Sequence, residues 1–473
     1  MANAASVPDA DWPLGLFRRA AARVPAYADF LKRRGCDPHQ VVQSDDLRRV
    51  PATTKRNYLQ AYPLRDLLWN GEITGIRLIA TSSGSTGTPG YWPQNHQRHQ
   101  ENVRLHRGLF DTFDCRRKPT LCVIAFAMGT HVAATAELGA ITAQAGRGYR
   151  LTAICPGIDV DENVRILRDV APAFQQTLLM GYPPLVKDIL VAAASSGVPL
   201  GTLNLRLVFS GENFSERWRE ATHRAAQITD PLTGSLSIYG AADTGIIGTE
   251  TPLTVHVRRV AATDPHTHHT VFPGAGTLPA LVEFDPSLRH VEDADGDLLF
   301  TMRGALPLIR HHLGDRGRTL TLSDLSDTTD RCGLTLPETL ARHTTGHFIA
   351  LHERADVTCT FFGLNIYPDN IKAGLEQPGL TAALSGKFHL SKHEDTQTGQ
   401  QRLCLRVELA PGVVGTEHLR EQIRQAVTQA LLQTNAEYRE LHRALPSRCV
   451  PEIILLPHKD PAFRSNAKQR WVT

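Results

Sequence analysis

Short apolar runs recur along this chain of 473 residues, each separated from the next by a segment of helical periodicity. TLCVIAF (120–126), QTLLMGY (176–182), LRLVFSG (205–211), LSIYGAA (236–242), ALVEFD (280–285) and DLLFTM (297–302) read as strands. Several are apolar throughout, as strands covered on both faces must be. Between them lie helical patterns such as the one opened by Ser215, in which Phe214, Trp218, Ala221, Ala225 and Ile228 recur at helical spacing. The alternation predicts an α/β architecture of open sheets, with ligands at the loops that follow the strands.

Charge narrows the partners. Fifty-one basic side chains against 48 acidic ones leave a formal charge of +3, too little over this length to hold nucleic acid or an anionic membrane. The opening MANAASVPDADWPLGLFRRAAARVP has no charged start followed by an apolar run, and no stretch approaches the ~18 apolar residues of a membrane span, so a cytoplasmic protein is expected. Eight scattered cysteines without a CxxC pair argue against a disulfide framework and a zinc ribbon. HTHH at 266–269 falls in a loop-like stretch and lacks a third fixed metal ligand. Among the basic residues only nine are lysine, against 42 arginines, so each lysine merits a question.

The texture changes after residue 352. RADVTCTFFGLNIYPDNI, LCLRVEL (403–409), a helix from Glu417 with Leu419, Ile423, Val427 and Leu431 on one face, and EIILLP (452–457) describe a compact α+β unit. Two domains are therefore expected, 1–352 and 353–473, the second ending in a polar tail that carries Lys468.

Residues 81–90, TSSGSTGTPG, follow the apolar IRLIA of 76–80. Glycines at 84 and 87 let backbone N–H groups converge on an anion, and Ser82, Ser83, Ser85 and Thr86 add donors. The GxxxxGK[ST] loop is absent, and by composition alone such a loop is more often a flexible surface turn.

Six segments occur in a telling order: DDLRRVPATTKRNYLQAYP (45–63), SSGSTGTPGYWP, VFSGENFSE (208–216), YGAADTG (239–245), GALPLIRHHLGDRGR (304–318) and ERADVTCTFFGLNIYPDNI (353–371). Together they resemble the adenylate-forming superfamily of acyl-CoA synthetases, and within it the phenylacetate-CoA ligase branch, nearly end to end. The resemblance implies a large N-terminal domain of open α/β sheets and a smaller mobile α+β C-terminal domain. It also implies ATP-dependent activation of an organic acid, aromatic or biosynthetic, as acyl-AMP with release of pyrophosphate, then transfer to coenzyme A.

The same resemblance supplies roles. Ser82, Ser83, Gly84, Ser85, Thr86 and Gly87 would hold phosphates, Gly211, Glu212 and Asn213 would line the adenine, and Tyr239 would stack on the purine. Gly240, Ala241, Ala242 and Thr244 would flank nucleotide and substrate, and Asp243, where the family usually has glutamate, would hold Mg²⁺. Asp315 would take the ribose hydroxyls with Arg354 nearby, and Lys468 would offset the repulsion between the substrate carboxylate and the α-phosphate. Asp356 would be the hinge, and Gly363 would flank the tunnel for an incoming thiol. The acid would lie near Tyr182, His131 and Gly240. A carrier-protein pantetheine or an amine could replace coenzyme A as acceptor, a degenerate nucleotide-binding protein is the reading from another class, and a homodimer is compatible with the sequence.

Overall fold

The computed structural model describes residues 11–81, 90–130, 132–342, 344–354, 359–361, 364–394, 401–444, 446–463 and 472. A parallel half-sheet is built from β1 (Thr120–Ala125), β2 (Leu151–Ile154), β3 (Gln176–Gly181), β4 (Leu205–Ser210) and β5 (Ser235–Ala241). It continues without a break into antiparallel β6 (Gly245–Thr249), β7 (Ala280–Phe284), β8 (Arg289–Ala294), β9 (Asp297–Met302), β10 (Leu308–Thr321) and β11 (His347–Arg354). The spatial order is β8-β9-β10-β11-β7-β6-β5-β4-β3-β1-β2, and the short strand Thr53–Thr54 joins β10 in parallel. The open sheets expected from the sequence are thus one twelve-stranded sheet.

All six apolar runs are strands, each within a residue of its expected bounds. β1 and β3 are buried along their whole length, which is why they carry no alternation. The helix Glu216–Ala225 begins where expected, with the Ser215 hydroxyl accepting from the Trp218 amide at 3.1 Å. Its buried face is rotated from the expected one, because Ala225 is exposed while Arg219 and Thr222 turn inward. Residues 266–269 are a second departure. Asp264 caps a helix, Pro265–Val271, so the histidines are helical rather than in a loop, and His268 stacks on His269 at 5.5 Å.

Arg219 turns inward to meet a buried ionic cluster. It donates to both oxygens of Glu216, at 2.8 and 3.1 Å, and to Glu250 at 2.7 Å; Arg258 donates to the same Glu250 oxygen at 2.7 Å. The second oxygen of Glu250 accepts from the Ser237 amide at 2.9 Å, and Arg258 also reaches the Phe214 carbonyl. These bonds tie the helix after β4 to the β5–β6 hairpin, whose turn enters the site described below.

Beyond residue 358 a separate hydrophobic cluster forms around Phe361, Ile371, Phe388, Leu405, Ile423, Val427 and Leu431. It covers the sheet β12 (Leu384–Glu394), β13 (Gln401–Leu409) and β14 (Glu452–Leu456), in that order. The helix Glu417–Thr434 buries the four apolar residues read from its sequence. Three of the nine lysines bridge this unit to the helix Pro183–Ser195 and to the loop after β4. Lys187 donates to the Leu384 carbonyl at 2.7 Å, Lys372 to the Asn213 carbonyl at 3.0 Å, and Lys387 to Asp188 at 2.6 Å.

Candidate active site

A cavity of about 870 Å³ opens at the carboxyl ends of the parallel strands. Open α/β sheets bind ligands there, because side chains and loop amides from successive strands converge at that edge. Each strand end contributes differently. β4 delivers Ser210 and Gly211, whose φ of +94° is a conformation glycine adopts without strain. β3 delivers Tyr182, which packs edge-to-face on Phe126 with ring centres 5.0 Å apart; burial pushes its hydroxyl pKa up to about 12.

β5 delivers Ile238 and Gly240, followed by Ala241, Ala242 and Asp243 in the turn to β6. A side chain on Gly240 would meet the Gly245 carbonyl at 2.4 Å, so the tight hairpin requires glycine there. Strand alternation sends Tyr239 to the other face, where its ring packs near Phe300 and its hydroxyl donates to Asp315 at 2.5 Å. The sequence reading put Tyr239 on a purine and Asp315 on the ribose, and this hydrogen bond brings the two side chains together. Asp315 is buried against Tyr239, one residue beyond Gly314, which does line the cavity, and Asp315 pairs with Arg354 across β10 and β11. Thr244 is buried with its hydroxyl donating to the Gly245 carbonyl at 3.2 Å.

Glu212 and Asn213 lie apart from this wall. Glu212 is 3.8 Å from Lys372, and Asn213 lines a second cavity of about 240 Å³ between the two units. Ser82 to Gly87, His131, Asp356, Gly363 and Lys468 fall outside the described residues, as does the side chain of Arg354.

Asp243 is the acidic centre of the cavity. Its Oδ2 lies 3.3 Å from Nε2 of His311, whose Nδ1 is 3.0 Å from the Thr53 hydroxyl. Burial raises its pKa, but the hydrogen bond and charge of His311, with Lys55 beyond, outweigh that and hold the carboxyl below its usual range. An ionised carboxylate facing the cavity is a hard oxygen donor that suits Mg²⁺. Among the described residues no group of three or more His, Cys, Asp or Glu side chains forms a metal cluster, so an ion here would take its remaining ligands from phosphate and water.

Five cations also line the wall: Lys55, Arg56, Arg77, Arg98 and Arg289. Sequence reasoning assigned none of them. Lys55 could have been found, since it is one of nine lysines and sits inside the 45–63 motif. Arg98 and Arg289 carried no local signal.

The cavity's far wall rests on a buried pair, His106 Nε2 to Glu137 Oε2 at 2.7 Å, joining the helices His96–Thr112 and Val132–Ala145. Burial depresses the histidine, yet Glu137 more than offsets this and its pKa is raised above 6.5. A raised folded-state value means the pair stabilises fully below the unfolded pKa and loses that contribution as pH rises through the folded one. The stability advantage of the wild type over Glu137→Gln should therefore be fullest below pH 6.5 and narrow as pH rises above it, as read from urea midpoints. An advantage that grows with pH would contradict the assignment.

No protein-family profile and no curated protein sequence matches the chain. Solved structures do. A 2-hydroxyisobutyryl-CoA ligase, in the postadenylation state with R3-HIB-AMP, is similar over 98% of this chain and 88% of that one, at 17% identity and a TM-score of 0.67. The chain has the fold of the adenylate-forming ligases. The similarity to that CoA ligase falls to a TM-score of 0.54 when it is compared in the thioesterification state with 2-HIB-AMP and CoA, at 17% identity over 98% and 89% of the two chains. An anthranilate CoA ligase with anthranoyl-AMP gives 0.50, at 15% identity over 84% and 66%.

Proposed function

We propose that this chain activates an organic carboxylic acid with ATP, forming an acyl-adenylate and pyrophosphate, and passes the acyl group to coenzyme A. The observation that carries this reading is the cavity itself: on an adenylate-forming fold, Asp243 and a wall of five cations face one space at the strand ends. A carboxylate is a poor electrophile because oxide cannot leave, and adenylation replaces that oxygen with a phosphate leaving group. The protein must then hold two anions together in line and neutralise the charge that builds.

The chain's residues divide that work. Lys55 and Arg56, beside Asp243, would offset phosphate charge together with the loop 82–87. Gly211 and Gly240 would let the nucleotide lie against the backbone. Mg²⁺, bound by Asp243 and phosphate oxygens, would supply further charge neutralisation. Tyr182 and the Val132–Glu137 wall would bound the acid. Residues 1–352 would form the large lobe, and 353–473 would rotate about Asp356 to bring first Lys468 and then the Gly363 loop to the site.

Incubation with ATP, Mg²⁺ and a panel of acids, with and without coenzyme A, tests the acceptor. Acid-dependent AMP and a coenzyme A thioester are expected when the thiol is present. Pyrophosphate release that never yields a thioester would move the acceptor to a carrier protein or an amine.

A further inference from the structure

Two buried guanidiniums in the cavity wall differ in how they are paired. Arg98 is 7% exposed, Arg289 1% and Glu101 5%. Arg289 is well satisfied, donating to Glu101 Oε2 and to the Ile246 carbonyl, both at 2.8 Å. Arg98 is not. Its Nη1 and Nη2 reach the Met302 sulfur at 3.6 and 3.7 Å, and Nη2 reaches the Asp243 carbonyl at 3.3 Å; among the described residues no carboxylate accepts from it. Glu101 Oε1 likewise has no hydrogen-bond partner among the described residues. Glu101 and the Asp243 carboxylate act on Arg98 only through space, so a buried guanidinium in a desolvated wall is left without a hydrogen-bonded anion, a position that an arriving oxyanion would improve. Burial, then the Arg289 charge, hold the Arg98 guanidinium down at about 10.

Arg98 lines the cavity, as do Gln94, Asn95, His99 and Asn102. An acid with a purely apolar tail would leave the buried Arg98 guanidinium without an anionic acceptor. We propose that the acid activated here carries a second oxyanion, a carboxylate or an equally anionic group, and that Arg98 holds it while the first carboxylate reacts. The inference rests on the adenylation reading. The reacting carboxylate itself is the poorer occupant, because a buried guanidinium would quench the nucleophilicity needed to attack phosphorus, whereas a second oxyanion can stay bound throughout.

Matched pairs of acids test this with the full chain, ATP and Mg²⁺: linear monocarboxylic and α,ω-dicarboxylic acids of equal carbon number, and phenylacetate against 4-carboxyphenylacetate. Wild type should favour the diacid of at least one pair by ~10-fold or more in kcat/KM for pyrophosphate release. That ratio should collapse toward one in Arg98→Met and be partly restored in Arg98→Lys. Equal losses on both members of each pair would assign Arg98 to the reacting carboxylate, and a raised KM for ATP alone would assign it to phosphate; either overturns the proposal. So would a preference for monoacids, which would leave adenylation standing. If no acid releases pyrophosphate, the adenylation reading fails separately, and thermal shifts still decide for Arg98. Stabilisation of wild type by diacids over monoacids, lost in Arg98→Met, supports a second-oxyanion site, and no difference overturns it.

Discussion

Glu250→Ala should destabilise the protein by about 3–5 kcal/mol, the scale for removing one partner of a buried ion pair. The reason lies in what remains. Arg219 and Arg258 are each at most 1% exposed and both donate to a single Glu250 oxygen at 2.7 Å. Without it, two guanidiniums would rest on Glu216 alone, and the Ser237 amide would lose its acceptor. Ser237 belongs to β5, the strand that ends at Gly240 and Ala241, so the loss should loosen the hairpin that presents Asp243. Glu250→Gln, which keeps the shape and one acceptor oxygen, should cost less than Glu250→Ala. Urea unfolding of the three proteins measures the order, and a loss below about 1 kcal/mol in Glu250→Ala would mean that the cluster is solvated.

Lys468→Ala should slow adenylation by roughly 10²-fold or more while leaving ATP binding nearly intact, as expected for losing one group that acts on charge developing in the transition state. The rotation proposed for residues 353–473 adds a sharper expectation. Thioester formation from preformed acyl-AMP should be spared, because Lys468 would have left the site by then. Single-turnover assays of the two half-reactions separate these outcomes. Equal losses in both would indicate a damaged fold or a shared role, and an unchanged adenylation rate would remove Lys468 from the mechanism.

Much of the sheet was legible because burial on both faces writes itself as an apolar run. β1 and β3 are of this kind throughout, and β4 and β9 nearly so. The long strand β10 was not, since IRHHLGDRGR contains no such run. It is a strand because β9 and β11 pair with it on either side, and because its polar residues have partners: Arg310 with Glu292 at 3.0 Å, and His311 with Asp243. Helix Glu216–Ala225 shows the complementary failure. Its spacing pattern pointed at Ala225, whereas a buried ionic cluster drew Arg219 inward, and no apolar periodicity reports that.

The site divides the same way. Gly211, Gly240, Ala241, Ala242 and Asp243 were legible as motifs because tight turns at strand ends demand particular residues. Lys55, Arg98 and Arg289 come from positions far apart in sequence, and their convergence exists only after folding. Tyr239 and Asp315 were both singled out for the nucleotide, and the structure joins them by a hydrogen bond.

Acid-dependent exchange of labelled pyrophosphate into ATP, run without coenzyme A, tests the central claim most directly, because it registers reversible acyl-adenylate formation and nothing later. The account predicts exchange that requires Mg²⁺ and a carboxylic acid, falls in Asp243→Ala, and is strongest with an acid bearing a second oxyanion. Tight ATP binding with no exchange for any acid would contradict it and leave a nucleotide-binding protein on a ligase fold.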